Sequence, residues 1–333
     1  MKDWPYEVHA SGWYQVDWSA NLAPGEVKPM AYFDEELLLF RPEDGGAAQV
    51  MGALCPHLGA SLAYFSKVCG DSVECPFHGW RWNREGRNTL IPNIDRVSEK
   101  GRVKTFPTRE IDGIVLVWYD VNGADPTWEW PGVPEFRDPA FYPIFPYGHF
   151  RYEPHKIQPQ SMLENIADTQ HFPFVHGAGE PGRHKMLEHD GAYLNARFAL
   201  TFGLRDGGKP TFLTPDGPVE GEIHAEAWGV GLSMARASLG DLSFPQFLGV
   251  TPVDLNHGVM FSTITARRVE GADEPSGIVA KMYQRQHEQL FGDIRIWEHQ
   301  RWLDRPLYAE FEGGPFAQVR RWARQFYPER VSS

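Results

Sequence analysis

The sequence predicts an α+β protein in which an all-β N-terminal domain precedes a C-terminal domain made of an antiparallel sheet and a long helix. Short apolar segments broken by Gly, Pro, Asn and Asp fill the chain from Gly12 to about Asp120. Residues 190 to 270 alternate between apolar and polar side chains, as strands with one buried face do. No proline occurs from Ser276 to about Leu303, which leaves room for a long helix. The length of 333 residues fits two domains.

The first domain is expected at residues 1–121 and a linker at 122–150. Strands are expected at three apolar runs, Leu37 to Phe40, Ala48 to Leu54 and Gly113 to Tyr119. From Asn122 to Pro146 a dense mixture of Pro and aromatic residues can sustain neither a helix nor strand alternation. This composition indicates a connection between domains.

The second domain is expected at residues 151–333. The stretch QSMLENIADTQ, residues 160–170, has apolar side chains at helical spacing and predicts a short helix. Strands follow, and Leu290, Ile294 and Trp297 then mark one face of the longest predicted helix. Such an order of elements is typical of a sheet covered by a C-terminal helix.

Composition excludes several functional classes. Acidic residues outnumber basic ones 44 to 32, for a net charge of -12, and no Lys/Arg block could follow a phosphate backbone. No apolar run is long enough for a signal peptide or a membrane span, so we expect a soluble cytoplasmic protein. Because no G-x-G-x-x-G or phosphate-loop motif occurs, a nucleotide cofactor would bind another protein.

Two short motifs each combine one Cys with one His. Cys55 and His57 form C-x-H, Cys75 and His78 form C-x-x-H, and seventeen residues separate the two motifs. Thiolates suit iron and inorganic sulfide, and imidazoles on one iron of a [2Fe-2S] cluster raise its reduction potential. A structural zinc site is the alternative, although zinc fingers usually take like ligands from each loop. The mixed pairs favour the cluster.

These motifs, within CPHLGASL and CPFHGWRW, resemble the Rieske family. The resemblance implies that Cys55 and Cys75 bind one iron and that His57 and His78 bind the other, on two β-hairpin tips. Respiratory Rieske proteins carry two further cysteines as a disulfide, whereas this chain has only Cys69. The resemblance therefore favours the oxygenase or ferredoxin branch.

A second constellation begins after Glu164, where Asp168 precedes His171 by three residues and His176 follows five residues later. Two imidazoles and one carboxylate make the facial set of ligands that holds Fe(II) and leaves positions open. The third ligand must come from far along the chain, and the acidic candidates near the C-terminal helix are Glu288, Asp293, Glu298 and Asp304. Asp293 is the best placed, because it shares the apolar face of the helix, where an unpaired carboxylate is costly.

The string N-x-x-D-x-x-H-x-x-x-x-H, from Asn165 to His176, resembles the iron motif of the Rieske non-haem oxygenases. The resemblance implies that His171 and His176 bind iron and that Asn165 and Asp168 belong to the catalytic site. In that family the Asp bridges to a Rieske His of the neighbouring subunit, which implies a homotrimer. The segment DIRIW, which begins at Asp293, is similar to the segment that carries the carboxylate ligand in one oxygenase branch.

The C-terminal stretch from Ile296 resembles the branch of 3-ketosteroid 9α-hydroxylase oxygenases and cholesterol 7-desaturases. The implied fold is an all-β Rieske [2Fe-2S] domain followed by a helix-grip catalytic domain with a mononuclear Fe(II). The implied activity is monooxygenation of a hydrophobic, steroid-like substrate with O2 and electrons from an NAD(P)H-dependent reductase, with or without a ferredoxin. Two alternatives stay open: a dioxygenase, desaturase or demethylase acting on an aromatic or amine substrate, and an electron-transfer protein without oxygenase activity. Arg320, Arg321 and Arg324 are interpreted as a solvated helix face.

Overall fold

The computed structural model describes residues 4–177, 182–203, 214, 216–239 and 242–329. Backbone contacts divide the chain into two units, Trp13–Thr127 and a second that joins Met1–Gly12 to Trp128–Ser333. The predicted α+β class is confirmed, because the first unit is built from strands and the second from a large antiparallel sheet with helices. The predicted limits of the first domain (1–121), the linker (122–150) and the second domain (151–333) stay a prediction.

The unit Trp13–Thr127 consists of short strands in three sheets, and the structure describes all of its residues. The sheets have the orders β1-β11-β10, β2-β3-β4-β9 and β5-β6-β7-β8. The strands are β1 (Gly12–Trp18), β2 (Val27–Tyr32), β3 (Glu35–Phe40), β4 (Gln49–Gly52), β5 (Lys67–Cys69), β6 (Ser72–Glu74), β7 (Arg81–Asn83), β8 (Asn88–Leu90), β9 (Thr105–Phe106), β10 (Thr108–Ile111) and β11 (Ile114–Tyr119). The three strands expected from sequence correspond to β3, β4 and β11, and every residue of β11 is buried.

An ion pair ties this unit together below its surface. Arg41 directs both terminal nitrogens at the carboxylate of Glu110, at 2.6 and 3.1 Å, and the N–H of Ala48 donates to the same carboxylate at 2.8 Å. Burial alone would raise the pKa of the Glu110 carboxyl, but the Arg41 and Ala48 hydrogen bonds outweigh it and hold that pKa below its ordinary value.

The stretch expected as a linker is not extended. It contains α1 (Pro134–Arg137), a single helical turn that begins at a proline, where the missing N–H costs nothing. Trp130 and Val133 are buried, at 2% and 0% exposure, and Trp130 packs its ring against Phe247 at 4.7 Å between centroids. Residues from Trp128 onward therefore pack as part of the second unit.

The second unit is organised by a seven-stranded antiparallel sheet of order β12-β18-β17-β16-β15-β14-β13. This sheet confirms the antiparallel strands that the alternation between residues 190 and 270 predicts. Its strands are β12 (His149–Arg151), β13 (His184–Asp190), β14 (Tyr193–Phe202), β15 (Val219–Trp228), β16 (Leu232–Leu239), β17 (Leu242–Pro252) and β18 (Gly258–Ile264). Consecutive strands from β13 to β18 pair with one another, so the sheet is a meander closed at its other edge by β12.

Helices flank this sheet. They are α2 (Pro159–Glu164), a π-helical turn at Phe172–His176, α3 (Gly277–Trp297), α4 (Gly313–Ala323) and a 3₁₀ turn at Arg324–Phe326. The predicted long helix is α3, which ends at Trp297 rather than near Leu303. The helix expected over 160–170 is shorter than predicted, because α2 ends at Glu164 and Asn165–Ala167 form a turn. No helix of the described residues is long and apolar enough to cross a membrane.

Candidate active site

The two Cys/His motifs form matching loops in the first unit. In each loop the Cys accepts a hydrogen bond at its carbonyl from the Gly four residues later, Gly59 on Cys55 and Gly79 on Cys75, both at 3.0 Å. Both glycines have positive φ, 76° and 71°, a conformation that other residues rarely adopt. Because the loops follow β4 and β6, the same turn geometry presents one Cys and one His from each side.

The two loops bring their four predicted ligands together with different exposure. Cys55 and Cys75 are buried at 1% and 3%, whereas His57 is half-buried and His78 is exposed. The two imidazole rings lie edge to face with centroids 4.8 Å apart, and His57 stacks on Trp80 at 4.2 Å. Thiols inside and imidazoles outside are the arrangement that a Rieske cluster requires.

The surroundings of Cys55 fit a sulfur-ligated cluster. Burial raises the pKa of the Cys55 thiol above its ordinary value, whereas the nearby indole N–H of Trp82 acts in the opposite direction. That indole Nε1 is buried and makes no hydrogen bond among the described residues. A buried donor that faces only sulfur is suited to a thiolate, so these residues fit a [2Fe-2S] cluster.

In the second unit, a π-helical turn brings His171 and His176 to the same side. The N–H of Gly177 donates to the carbonyl of Phe172, five residues earlier, and Gly177 closes the turn at φ 63°. In a π-helical turn the backbone hydrogen bonds join residues five apart, so the side chains of such residues lie on the same side. In an α-helix they would not. The two imidazole rings consequently lie 5.0 Å apart between centroids.

Asp293 reaches this pair of histidines from the face of α3 that packs inward. Its Oδ1 lies 3.9 Å from Nε2 of His171 and 3.4 Å from Nε2 of His176, and the carboxylate is 7% exposed. One ligand atom from each residue lies within 4.8 Å of the others. Two imidazoles and a buried carboxylate with open space beside them are the donor set that non-haem Fe(II) takes, so the three residues fit a mononuclear iron.

Asn165 and Asp168 lie beside this set. The amide Nδ2 of Asn165 donates to Oδ1 of Asp293 at 3.3 Å. Nδ1 of His171 donates to the backbone carbonyl of Asp168 at 2.6 Å, which leaves Nε2 free to bind a metal. Burial would raise the pKa of the Asp168 carboxyl, but hydrogen bonds from His171 and from the backbone N–H of Gln170 hold that pKa below the ordinary value. Asn165 and Asp168 therefore each contact a predicted iron ligand.

His176 is supported differently from His171. Its Nδ1 is buried and has no hydrogen-bond partner in the part of the chain that the structure describes.

The set of predicted iron ligands excludes the other carboxylates considered from sequence, which are Glu288, Glu298 and Asp304. Glu298 is bound to His155 at 2.7 Å, and Glu288 accepts from Gln284 at 3.0 Å.

A cavity of about 390 Å³ opens onto the three predicted iron ligands. It lies between the inner face of the sheet and α3, and most of its described lining is apolar, including Phe198, Leu200, Phe244 and Leu248. Its size falls within the range of pockets for small organic molecules. Phe198 belongs both to this cavity wall and to the buried core, since its side chain is 2% exposed.

Sequence reasoning missed the role of Arg320. The interpretation as a solvated helix face is wrong for this residue, whose guanidinium makes two hydrogen bonds of 2.9 Å to the Glu164 carboxylate. The same guanidinium lies 3.9 Å from the ring of Trp302. Arg321 and Arg324 are exposed, as expected. The sequence signal was weak, because the two partners lie 156 residues apart.

Sequence reasoning also missed the polar side chains of the cavity. Gln286 and Gln289 lie on the face of α3 that carries Asp293, and Gln246 lies opposite on β17. The spacing of Gln286, Gln289 and Asp293 would have marked polar residues on an otherwise buried stripe.

Comparison with known protein families gives two matches that together cover most of the chain. Residues 12–107 match the Rieske [2Fe-2S] domain. Residues 117–327 match the 3-ketosteroid 9α-hydroxylase C-terminal domain.

Curated relatives match along almost the whole chain. A probable 3-ketosteroid-9-alpha-monooxygenase oxygenase component from Rhodococcus rhodochrous is 29% identical, over 97% of this chain and 81% of the relative. A cholesterol 7-desaturase from Xenopus laevis is also 29% identical, over 96% of this chain and 72% of the relative.

Solved structures share the fold. Dicamba monooxygenase bound to 3,6-dichlorosalicylic acid superposes with a TM-score of 0.73 at 18% identity, covering 95% of this chain and 96% of the other. A Pseudomonas putida protein, NdmB, gives a TM-score of 0.71 at 19% identity, covering 94% and 89%.

Proposed function

The chain belongs to the 3-ketosteroid 9α-hydroxylase C-terminal domain family and carries a Rieske [2Fe-2S] domain, and from that premise we propose that it hydroxylates a hydrophobic, steroid-sized substrate. It is the terminal oxygenase of a Rieske multicomponent system and an oxidoreductase. Its cofactors are a Rieske [2Fe-2S] cluster and a mononuclear iron. The open question is therefore the substrate and the outcome of the oxidation.

The observation that carries the substrate proposal is the cavity beside His171, His176 and Asp293. A volume of about 390 Å³ with a largely apolar lining suits a rigid polycyclic molecule better than a small polar amine. Burial of apolar surface supplies about 25 cal/mol per Å², so such a ligand would bind chiefly through the cavity walls. The 3-ketosteroid monooxygenase relatives support the same class of substrate.

We assign the metal ligands as follows. Cys55 and Cys75 would hold one iron of the cluster, and His57 and His78 the other. His171, His176 and Asp293 would hold the mononuclear iron. Bound there, the cluster supplies single electrons and the mononuclear iron supplies O2 binding and reduction.

The side chains around the second site have separate tasks in this proposal. Asn165 holds the Asp293 carboxylate in position through its amide N–H. The Asp168 carbonyl fixes the His171 ring with Nε2 facing the metal position. The apolar cavity wall orients the substrate and excludes water while it is filled.

We further propose that the enzyme works as a homotrimer in the cytoplasm. In this assembly Asp168 would link the mononuclear site to a Rieske His of the adjacent subunit, as the family resemblance implies. Electrons would come from NAD(P)H through a separate reductase, with or without a ferredoxin, and a cytoplasmic location supplies that reductant. Mass photometry of the purified protein tests the trimer directly.

The test of the proposed function is turnover under ¹⁸O₂ with a reductase, NADH and a panel of 3-ketosteroids. We expect one ¹⁸O in a mono-hydroxylated product, formed by the wild type and absent from a His176→Ala variant. Incorporation of no label with loss of two hydrogens would establish a desaturase, which the equal identity to cholesterol 7-desaturase makes the second candidate. Two labelled oxygens, or turnover of aromatic or amine substrates alone, would refute the steroid hydroxylase.

A further inference from the structure

The substrate cavity contains one cation that the proposed oxidation does not use. Arg285 lines the cavity from α3 and is half-buried. Within the described part of the lining it is the one permanently charged base, and Asp293 is the one carboxylate. Since Asp293 is assigned to the iron, no other carboxylate of this lining is left to pair with Arg285, which also borders an outer cavity together with Glu288 and Arg295.

No carboxylate of the described residues forms a salt bridge with the Arg285 guanidinium. Glu288, the acidic residue one turn further along α3, accepts a hydrogen bond from Gln284 at 3.0 Å instead. A guanidinium that a bound hydrophobic ligand would cut off from water is costly unless the ligand supplies an acceptor. Carboxylates are the acceptors that arginine binds best, because its planar fork forms two parallel hydrogen bonds.

The distance between Arg285 and the iron ligands sets the length of the ligand. Arg285 precedes Asp293 by eight residues on α3, which at about 1.5 Å per residue corresponds to about 12 Å along the helix. Both residues line the same cavity, so one molecule could reach both. Gln289 lies between them on that lining and offers an amide donor along the way.

We propose that Arg285 binds the carboxylate of an amphipathic acid, so that the preferred substrate is a rigid polycyclic molecule with an acidic side chain. This inference rests on the proposed function and narrows its substrate class. The acid would lie at the Arg285 end of the cavity, and an apolar ring carbon would lie beside His171 and His176.

The test compares an acid with its uncharged ester on the holoenzyme kept without O2 and without reductant, so that binding is measured independently of turnover. The ligands are 3-oxochol-4-en-24-oic acid and its methyl ester, and the readout is the dissociation constant from equilibrium dialysis. We expect the wild type to prefer the acid by at least tenfold, about 1.4 kcal/mol, and the preference to fall as salt is raised. Arg285→Leu should lose the preference while it still binds the ester.

Arg295→Gln is the matched control. It removes the same charge from the same helix, but Arg295 is exposed and does not line the cavity, so the preference for the acid should stay. Arg285→Lys should keep part of the preference for the acid, because the ammonium group keeps the charge but loses the planar fork of the guanidinium. Equal binding of acid and ester to the wild type, or an unchanged preference in Arg285→Leu, would refute the role of Arg285 and leave the steroid oxygenase intact. Binding of neither ligand would refute both.

Discussion

Replacing Asn165 with Ala should weaken iron binding at the mononuclear site without disturbing the cluster. The amide of Asn165 donates to Asp293 at 3.3 Å, and the accepting carboxylate is 7% exposed. A hydrogen bond to a charged group contributes about 1.5–3 kcal/mol. The bond here is long, so we take the lower half of that range, about 1.5–2 kcal/mol, which corresponds to about 10- to 30-fold in affinity. This estimate agrees with the loss of about 10- to 100-fold in metal affinity that is typical when a hydrogen bond to a metal ligand is removed.

The assay is anaerobic competition for Fe(II) between the protein and a coloured chelator, with the cluster followed by EPR in the same samples. We expect the Fe(II) dissociation constant of Asn165→Ala to rise by about 10- to 30-fold while the Rieske signal keeps its shape and intensity. Asn256→Ala is the control, because Asn256 is exposed and makes no hydrogen bond to Asp293 in the described structure. A change below twofold would refute the positioning role of Asn165. An equal change in the control would show that the effect is not specific to it.

Further predictions follow from the same geometry. His171→Ala should contain about two Fe per chain where the wild type contains about three, with two sulfides in both, as measured by iron and sulfide analysis. An unchanged iron content would remove His171 from the ligand set. Glu110→Gln should destabilise the Rieske unit by about 3 kcal/mol at pH 7 in denaturant unfolding, because a buried pair loses one partner. Since the folded-state pKa of Glu110 is lowered, this stability is present above the ordinary value of 4.5 and is lost as the pH falls through the folded pKa, so wild type and variant should converge below pH 4.5. Arg320→Met should cost about 2 kcal/mol by leaving the Glu164 carboxylate unpaired, whereas Arg321→Met, at an exposed position on the same helix, should change stability by less than about 0.5 kcal/mol.

The Rieske loops could be predicted almost completely because their information is local. Each loop places a Cys, a Pro and a Gly with positive φ within five residues, and the strands on either side are short. A ligand pair with fixed spacing needs no distant contact to define its turn. The residues themselves therefore predicted the location of these loops, and the family resemblance implied their hairpin shape.

Asp293 could be predicted although it lies 117 residues after His176, because the periodicity of a helix is also local information. Leu290, Ile294 and Trp297 define a buried face, and a carboxylate on that face requires a partner. The structure brings it within 3.4 Å of His176. What the periodicity could not supply is the partner itself, which the resemblance to an oxygenase motif suggested.

The shape of the His171 to His176 segment could not be predicted from helical periodicity. Helical spacing predicts a short helix over residues 160–170, but α2 ends at Glu164 and a separate π-helical turn follows at Phe172–His176, with Pro173 inside it. Such turns are rare and their hydrogen bonds are decided by what the side chains contact. The pairing of Arg320 with Glu164 escaped for a related reason, since it depends on how α4 packs against α2.

The predicted iron ligands border two cavities that differ in polarity. The larger cavity is apolar and is lined by His176 and by the sheet. A second cavity, of about 120 Å³, shares His171 and Asp293 with the first but is lined by Asp168 and Arg320. A hydrophobic substrate would gain more binding energy on the first side, where the larger apolar surface lies, whereas a polar contact would be better solvated on the second. His171 and Asp293 border both cavities, and His171 has Nε2 toward Asp293 and Nδ1 toward Asp168, so both sides would affect the metal through these two residues.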